Sequence, residues 1–330
     1  MDCSPSHFAA GKFPAVKYAV ALVVGVLLLA GCGGADSDTP EPITAGLNTM
    51  QQNRIALEAY LRSVDPCGLL DEAEVARYGM VEQYGPLAAL SACNAMVLPP
   101  GGPQIRVELM LLPTALSETS KSNPGGMDGV EVYGGRGPDI PNGTCEKLFR
   151  LSLGDLQERV DPQLAAIRVN GNRGTDTCQL AESVLAAAVK RMVAGMPKRG
   201  VTQFPLVANE PCGLWSDPRQ FPRPRLVVTV DGAPKPFECT AELGDDGPRV
   251  TLAFGIRPAS TAGDSETKSA DGCTVTHETT QIVDITRPGA RVNDVARALG
   301  RNAAIVTSSA PDCALAQAQL VDAKDRFRLG

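Results

Sequence analysis

The stretch DPCGLL, residues 65–70, returns as EPCGLW at residues 210–215. The match extends on both sides of this pair. SACNAMVLPPGGPQIRVELMLLP, residues 91–113, is similar to FECTAELGDDGPRVTLAFGIRP, residues 237–258, and TDTCQLAES around Cys178 is similar to APDCALAQA around Cys313. Self-similarity at this spacing predicts that the chain holds two diverged tandem copies of one domain.

The cysteines divide evenly between the two copies. Of the ten in the chain, eight follow the N-terminal segment, four in each half. An even number of cysteines predicts disulfides if the chain is exported, and four cysteines in one domain allow three pairings. We favour the pairing of the first with the second and the third with the fourth. The predicted disulfides are Cys67–Cys93, Cys145–Cys178, Cys212–Cys239 and Cys273–Cys313.

Metal binding is the competing interpretation of these cysteines. The chain contains no C-x-x-C pair, and His277 is the one histidine that follows the N-terminal segment. Structural zinc sites draw on closely spaced Cys and His ligands. We therefore expect no metal site and no cofactor.

The first 46 residues have the composition of a targeting segment and a tether. Lys12 and Lys17 precede an apolar run over residues 18–31, which has the length of a signal-peptide core and is short for a transmembrane helix. The run ends in LAGC, residues 29–32, and this motif resembles a bacterial lipobox. The resemblance implies cleavage after residue 31 and acylation of Cys32 by diacylglyceryl and palmitate-type chains. An uncleaved anchor helix and ordinary secretion are the alternatives.

The predicted organisation has four parts. They are a lipoprotein signal peptide (1–31), a flexible tether (32–46), a first domain (47–196) and a second domain (197–330). Residues 47–62, 178–194 and 313–327 have helical periodicity, which places Leu47, Met50, Leu57 and Leu61 on one face of the first helix. A short helix after Cys67 is expected to start at Asp71, with Glu74 completing a capping box.

The stretches of sequence between these predicted helices carry strand signals. Apolar residues alternate in IRVELMLL, VTLAFGI and CEKLFRLSL, and the counterpart CTVTHETTQIVDIT is rich in threonine. AAIRV and AAIVTS are also predicted strands, and LVVTVDGAPK is predicted to be a strand that runs into a turn at Asp231-Gly232. The glycine-rich stretches 125–143 and 259–272 are predicted to be loops. Each copy is therefore expected to be an α+β domain in which helices flank an antiparallel sheet.

Sequence motifs give no sign of catalysis. His277 lies inside the threonine-rich strand, where a surface or hydrogen-bonded histidine is the common case. Ser265 and Lys268 match a Ser-x-x-Lys pattern, but the companion motifs of such enzymes are missing. The net charge of -6 gives no basic surface for nucleic acid. We expect a non-enzyme that has no nucleic acid partner.

The lipobox, the repeated DPCGLL and the paired cysteines resemble a family of actinobacterial lipoproteins of unknown function whose domains open with Asp-Pro-Cys-x-Leu-Leu. More distantly, the chain is similar to the extracellular sensor domain of PknH-type mycobacterial kinases. This resemblance implies a mixed α/β domain with two disulfides and a cleft. It carries no catalytic residues over to this chain.

The sequence therefore predicts a lipid-anchored protein on the extracytoplasmic face of the cell membrane, which acts as a binding, sensor or adaptor module of the cell envelope. Its expected partners are the membrane, through the lipid on Cys32, and an envelope protein or apolar ligand. One alternative is a carrier of an apolar envelope molecule in a cavity lined by residues such as Leu109, Leu111, Phe254 and Ile256. A carboxylate-dependent hydrolase is a further alternative.

Overall fold

The computed structural model describes residues 44, 46–87, 89–111, 124–134, 143–172, 175–200, 205–216, 224–259, 264–292 and 294–329. The predicted signal peptide, nearly all of the tether and Cys32 lie outside these residues. The helices are α1 (Thr49–Ser63), α2 (Pro66–Leu69), α3 (Glu72–Ala76), α4 (Thr177–Ala194), α5 (Asp294–Gly300) and α6 (Cys313–Phe327). None of the helices in the described ranges combines the length and apolarity that a membrane crossing requires.

Within the described residues, thirteen strands form two antiparallel sheets. Those of the first sheet are β1 (Met80–Gly85), β2 (Ala92–Leu98), β3 (Ile105–Leu111), β4 (Pro124–Met127), β5 (Val130–Gly134), β6 (Thr144–Arg150) and β7 (Leu164–Asn170). Those of the second sheet are β8 (Pro224–Leu226), β9 (Glu238–Leu243), β10 (Arg249–Pro258), β11 (Ser265–Ser269), β12 (Gly272–Asp284) and β13 (Arg301–Ala310). We call α1–α4 with the first sheet the first copy, and α5 and α6 with the second sheet the second copy.

The two sheets have the same topology. The first runs β1-β2-β3-β7-β6-β5-β4 and the second runs β8-β9-β10-β13-β12-β11, so that only β4 lacks a counterpart among the described strands. The strand registers agree as well. The cysteines face equivalent partners: Cys93 lies opposite Leu109, Cys239 opposite Leu252, Cys145 opposite Val169 and Cys273 opposite Ala310. The predicted fold class, two diverged copies of an α+β domain with an antiparallel sheet, is confirmed.

Four disulfides join the sheets to the helices that flank them. In each copy, one disulfide ties the opening DPCGLL-type turn to the second strand of the sheet, and the other ties a later strand to the first turn of the last helix. The bonds are Cys67–Cys93, Cys145–Cys178, Cys212–Cys239 and Cys273–Cys313, the predicted pairing. On the entropic model, a closed loop of about 30 residues contributes about 3.5 kcal/mol to stability.

Each copy buries its own core between one sheet face and one long helix. In the first copy, α4 packs on β6 and β7, and its buried apolar residues are Leu180, Ala181, Val184, Leu185, Ala188, Val189 and Met192. In the second copy, α6 packs on β12 and β13. Trp215 is buried there, and its indole N–H donates to Gln319 of α6 at 2.9 Å. Both copies belong to one compact unit that spans residues 40–330.

The predicted helix over residues 47–62 is α1, which begins after Asn48. The Asn48 side chain and Gln51 form a reciprocal capping box. Leu57 and Leu61 are buried in the first core as predicted. Met50 is different: it is 65% exposed, so its place on the apolar face of the helix does not bury it.

Three local predictions are corrected by the structure. Within the predicted loop 125–143, β4 and β5 pair as a hairpin around Asp128 and Gly129, which both have positive φ. Within the predicted loop 259–272, β11 pairs with β12 along the sheet edge. The strand predicted to run from Leu226 into a turn at Asp231-Gly232 is shorter than expected, since β8 ends at Leu226. Gly232 of the predicted turn has positive φ.

The short helix after Cys67 is α3, and Asp71 caps it by accepting from the backbone N–H groups of Ala73 and Glu74. Glu74 does not complete the predicted capping box. Its carboxylate instead accepts from the guanidinium of Arg77 and from the hydroxyl of Ser183 on α4. The side chain thereby ties α3 to α4 rather than to its own N-terminus.

Candidate binding site at the junction of the two copies

The outer edge of β1 is paired with a segment of the second copy. The backbone N–H of Tyr84 donates to the carbonyl of Ile285 at 2.8 Å, and the N–H of Arg287 donates to the carbonyl of Glu82 at 2.8 Å. Ile285 is buried, and Gly85 lies against it with no side chain to intervene. This pairing covers a strand edge that would otherwise leave backbone groups free to pair with another chain.

Side chains reinforce this edge contact. The Arg287 guanidinium forms an ion pair with Glu72 at 2.5 Å and lies 5.3 Å from the ring centroid of Tyr84. The carboxylate of Glu82, which is buried, accepts from the Gln104 amide and from the backbone N–H of Arg291. Burial raises the pKa of the Tyr84 phenol, which remains a neutral hydrogen-bond donor.

A second strip of contacts joins the end of α1 to the chain that leaves α4. The N–H of Asp65 donates to the carbonyl of Pro197 at 2.9 Å, and the N–H of Arg199 donates to the carbonyl of Ser63 at 2.9 Å. The Arg199 guanidinium is partly buried and donates to the carbonyls of Arg62 and Leu90. Burial lowers the pKa of Arg199 to about 10, although the charge of Asp65 opposes the shift.

Helix α1 holds the second copy through one stripe of polar side chains. Arg54 donates to the carbonyl of Gly232, Glu58 accepts from the backbone N–H of Lys235, and Arg62 donates to the carbonyl of Pro236. Spacings of four residues put these three side chains on one face of a helix. Because Leu57 and Leu61 face the first core while Ile55 packs on the second, α1 belongs to both copies.

Two cavities share Arg54, whose guanidinium donates to the carbonyl of Gly232, as a lining residue. The smaller one, about 260 Å³, is lined by charged side chains that include Glu58, Lys235 and Arg249. The larger one, about 580 Å³, is the candidate binding site, and we call it the junction groove. Its lining residues are Met50, Asn53, Arg54, Leu57, Glu158, Arg159, Val160, Asp161, Gln163, Val230, Asp231 and Gly232.

The junction groove combines exposed apolar side chains with carboxylates. Met50 is 65% exposed and Val230 is 37% exposed, one from each copy. Glu158, Asp161 and Asp231 are exposed, and none of them forms an ion pair within the described part of the chain. Sequence reasoning missed this site, because its walls come from three segments far apart in the chain.

The residues proposed from sequence to line an apolar cavity lie in the packed cores. Leu109 and Leu111 belong to the first core, and Phe254 and Ile256 belong to the second. Phe254 also packs edge-to-face on Phe327, with ring centroids 5.3 Å apart. The structure therefore does not bring these four residues together.

His277 is buried on the inner face of the second sheet. Its Nδ1 lies 2.5 Å from Asp264, while its Nε2 has no hydrogen-bond partner among the described residues. Burial raises the pKa of Asp264, but the hydrogen bonds and charges of His277 and Lys324 outweigh it, so that the pKa lies below its ordinary value. The carboxyl of Asp264 therefore stays ionised.

The Ser265 and Lys268 of the Ser-x-x-Lys pattern lie on β11, three residues apart. Side chains at that spacing point to opposite faces of a strand, so they cannot form a catalytic dyad. One group of side chains, Glu266 with Cys273 and Cys313, has the proximity of metal ligands. The two sulfurs are bonded to each other and offer no thiolate to a metal.

Comparison with known proteins gives no relative. No protein-family model and no curated protein matches the chain. Among solved structures, the di-domain ARO/CYC StfQ of the steffimycin biosynthetic pathway is 10% identical, with 81% of this chain and 89% of that chain covered and a TM-score of 0.16. MucB in the Pseudomonas aeruginosa MucA/MucB complex is 12% identical, with 80% and 93% covered and a TM-score of 0.13. TM-scores this low carry no argument about fold or function.

Proposed function

We propose that the chain is a lipid-anchored extracytoplasmic protein that acts as a non-enzymatic binding, sensor or adaptor module of the cell envelope. The observation that carries the proposal is the junction groove. It is built by both copies, it presents Met50 and Val230 to solvent, and its described lining contains no Ser, Cys, His or Lys. A surface of this kind suits recognition better than group transfer.

The oxidised cysteines support an exported location. All eight cysteines that follow the N-terminal segment are bonded in pairs, and stable disulfides are typical of oxidising compartments. The LAGC motif at residues 29–32 supplies an anchor for such a protein. Two or three acyl chains on Cys32 would hold it at the membrane, where a single chain would bind reversibly.

Two measurements in an actinobacterial host test the proposal. The intact mass of the protein from the membrane fraction is expected to show a diacylglyceryl adduct, and Cys32→Ser is expected to abolish both the adduct and the membrane location. A photo-crosslinking residue at position 50 is expected to capture an envelope protein, whereas the same residue at position 321 on α6 is expected to capture none. Val321 is the matched control because it is also an exposed apolar residue, at 47%. An unmodified Cys32, or equal crosslinking at the two positions, would contradict the proposal.

A further inference from the structure

The junction groove has walls from three segments of the chain. One wall is the first half of α1, another is the segment 158–163 of the first copy, and the third is the segment 230–232 of the second copy. Leu57 and Val160 form an apolar floor. Its volume of about 580 Å³ falls within the usual range of ligand sites, which is about 300–1,000 Å³.

Two exposed apolar side chains, one from each copy, lie at the rim of the junction groove. Met50 lies in the first turn of α1, and Val230 lies in the wall that the second copy contributes. Methionine is flexible and polarisable, and it recurs at surfaces that bind peptides. The pair therefore offers a contact for one apolar side chain of a partner.

The charged side chains of the groove indicate which charge a partner should carry. The Arg54 guanidinium forms an ion pair with Glu58 at 2.9 Å, so that it is already neutralised. Arg159 is then the remaining cation among the described lining residues, against the three carboxylates of Glu158, Asp161 and Asp231. Asp155, in the adjoining depression, adds a further negative charge.

We propose that the junction groove binds a cationic amphipathic peptide segment of a partner protein. An apolar side chain of the segment packs between Met50 and Val230, and its lysine or arginine side chains pair with Glu158, Asp161 and Asp231. The inference rests on the proposed binding function and gives it a partner class. Complementary charge sets the choice of partner and the rate of association, and the apolar contact holds the segment in place.

A lipid on Cys32 would keep this groove within reach of the membrane. Thr49, the first residue of α1, lies seventeen positions beyond Cys32. A chain of that length spans about 60 Å at most when fully extended. The groove is therefore held where it can meet segments of membrane proteins that lie near the bilayer.

The test is fluorescence anisotropy of a labelled peptide that is titrated with the mature full-length protein. The peptide consists of leucine and lysine, spaced so that a helix would carry the leucines on one face and the lysines on the other. A peptide with glutamate in place of lysine is the second probe. We expect the lysine peptide to bind and the glutamate peptide not to bind. Asp161→Lys is expected to weaken binding about tenfold, the effect of about 1.4 kcal/mol. Asp322→Lys on α6, at an exposed carboxylate outside the groove, is expected to leave it unchanged.

The apolar contact has its own control. Met50→Ala is expected to weaken binding several-fold at high salt, where the charge contribution is screened, and Val321→Ala is expected to have no effect. Equal binding of the two peptides, or equal effects of Asp161→Lys and Asp322→Lys, would overturn the inference. If a photo-crosslinker at position 50 captures an envelope protein while the lysine peptide does not bind, the binding function stands and the cationic partner class is wrong.

Discussion

Replacing Gly85 by alanine tests the contact between the two copies. Gly85 ends β1 with φ of 153°, and an added Cβ would overlap with Cγ2 of Ile285 and lie 3.1 Å from its Cβ. Ile285 is held in place, because its carbonyl accepts from Tyr84 and its N–H donates to the carbonyl of Gly300. The clash therefore has to move the backbone or a buried side chain.

The expected loss of stability is about 2–4 kcal/mol. Overpacking of a buried contact costs about 1–3 kcal/mol. A non-glycine residue at a positive φ adds about 1 kcal/mol or more. A loss of this size is a large fraction of the stability of an ordinary domain.

Urea unfolding of the oxidised protein measures this loss. Trp215 is the single tryptophan of the chain and lies in the second copy, whereas Gly85 lies in the first. A shift of the Trp215 fluorescence transition by Gly85→Ala would therefore show that the junction couples the copies. Gly126→Ala is the matched control, because nothing lies within 4 Å of an added Cβ there.

A double-mutant cycle identifies the cause. In the background of Ile285→Ala, which removes Cγ2, the cost of Gly85→Ala is expected to fall by more than about 1 kcal/mol. The reasoning is refuted if Gly85→Ala costs no more than Gly126→Ala. It is also refuted if the cost is the same in both backgrounds.

Two further predictions concern the second copy. The lowered pKa of Asp264 means that its carboxylate stabilises the fold above its ordinary pKa of 3.8, and that this contribution is lost as the pH falls through the lowered value. The Tm of Asp264→Asn should thus lie below that of the native protein near pH 7, and the two Tm values should approach each other on acidification. A Tm difference that grows in acid would contradict a stabilising role of the Asp264 carboxylate. Gln319→Leu leaves the buried indole N–H of Trp215 without its partner, and it should cost about 1–3 kcal/mol in urea unfolding. An unchanged free energy of unfolding would mean that this hydrogen bond contributes nothing.

The cysteines made the repeat and the disulfide pairing predictable. Each cysteine stands in a local context that recurs in the other half, such as the DPC of Cys67 and the EPC of Cys212. A shared fold places equivalent cysteines at equivalent positions, so that the pairing found in one copy applies to the other. Local sequence was sufficient here because both partners of each disulfide lie within one copy.

The junction could not be predicted in this way. Its central contacts join the backbone groups of Tyr84 and Ile285, and backbone groups leave no signal in the sequence. The exposure of Met50 was missed for a related reason. Helical periodicity predicts the face of α1 on which Met50 lies, but it does not predict what covers that face. The part of the groove around Val230 comes from a segment about 180 residues away in the chain.

The hairpin of β4 and β5 was missed although the sequence carried a signal for it. Asp128 and Gly129, with φ of 49° and 80°, form the two-residue turn that an Asp-Gly pair favours. The glycine-rich flanks concealed it, since residues such as Gly125 and Gly126 have low strand propensity. Pairing with β6 compensates, because Tyr133 and Val132 extend an existing sheet.

Disulfide mapping of the native protein tests the central claim that the chain is two copies of one domain, each closed by its own two disulfides. Non-reducing peptide mass spectrometry should recover four linked pairs, Cys67–Cys93, Cys145–Cys178, Cys212–Cys239 and Cys273–Cys313. A bond between a cysteine of the first copy and one of the second, or a free thiol among these eight, would contradict it.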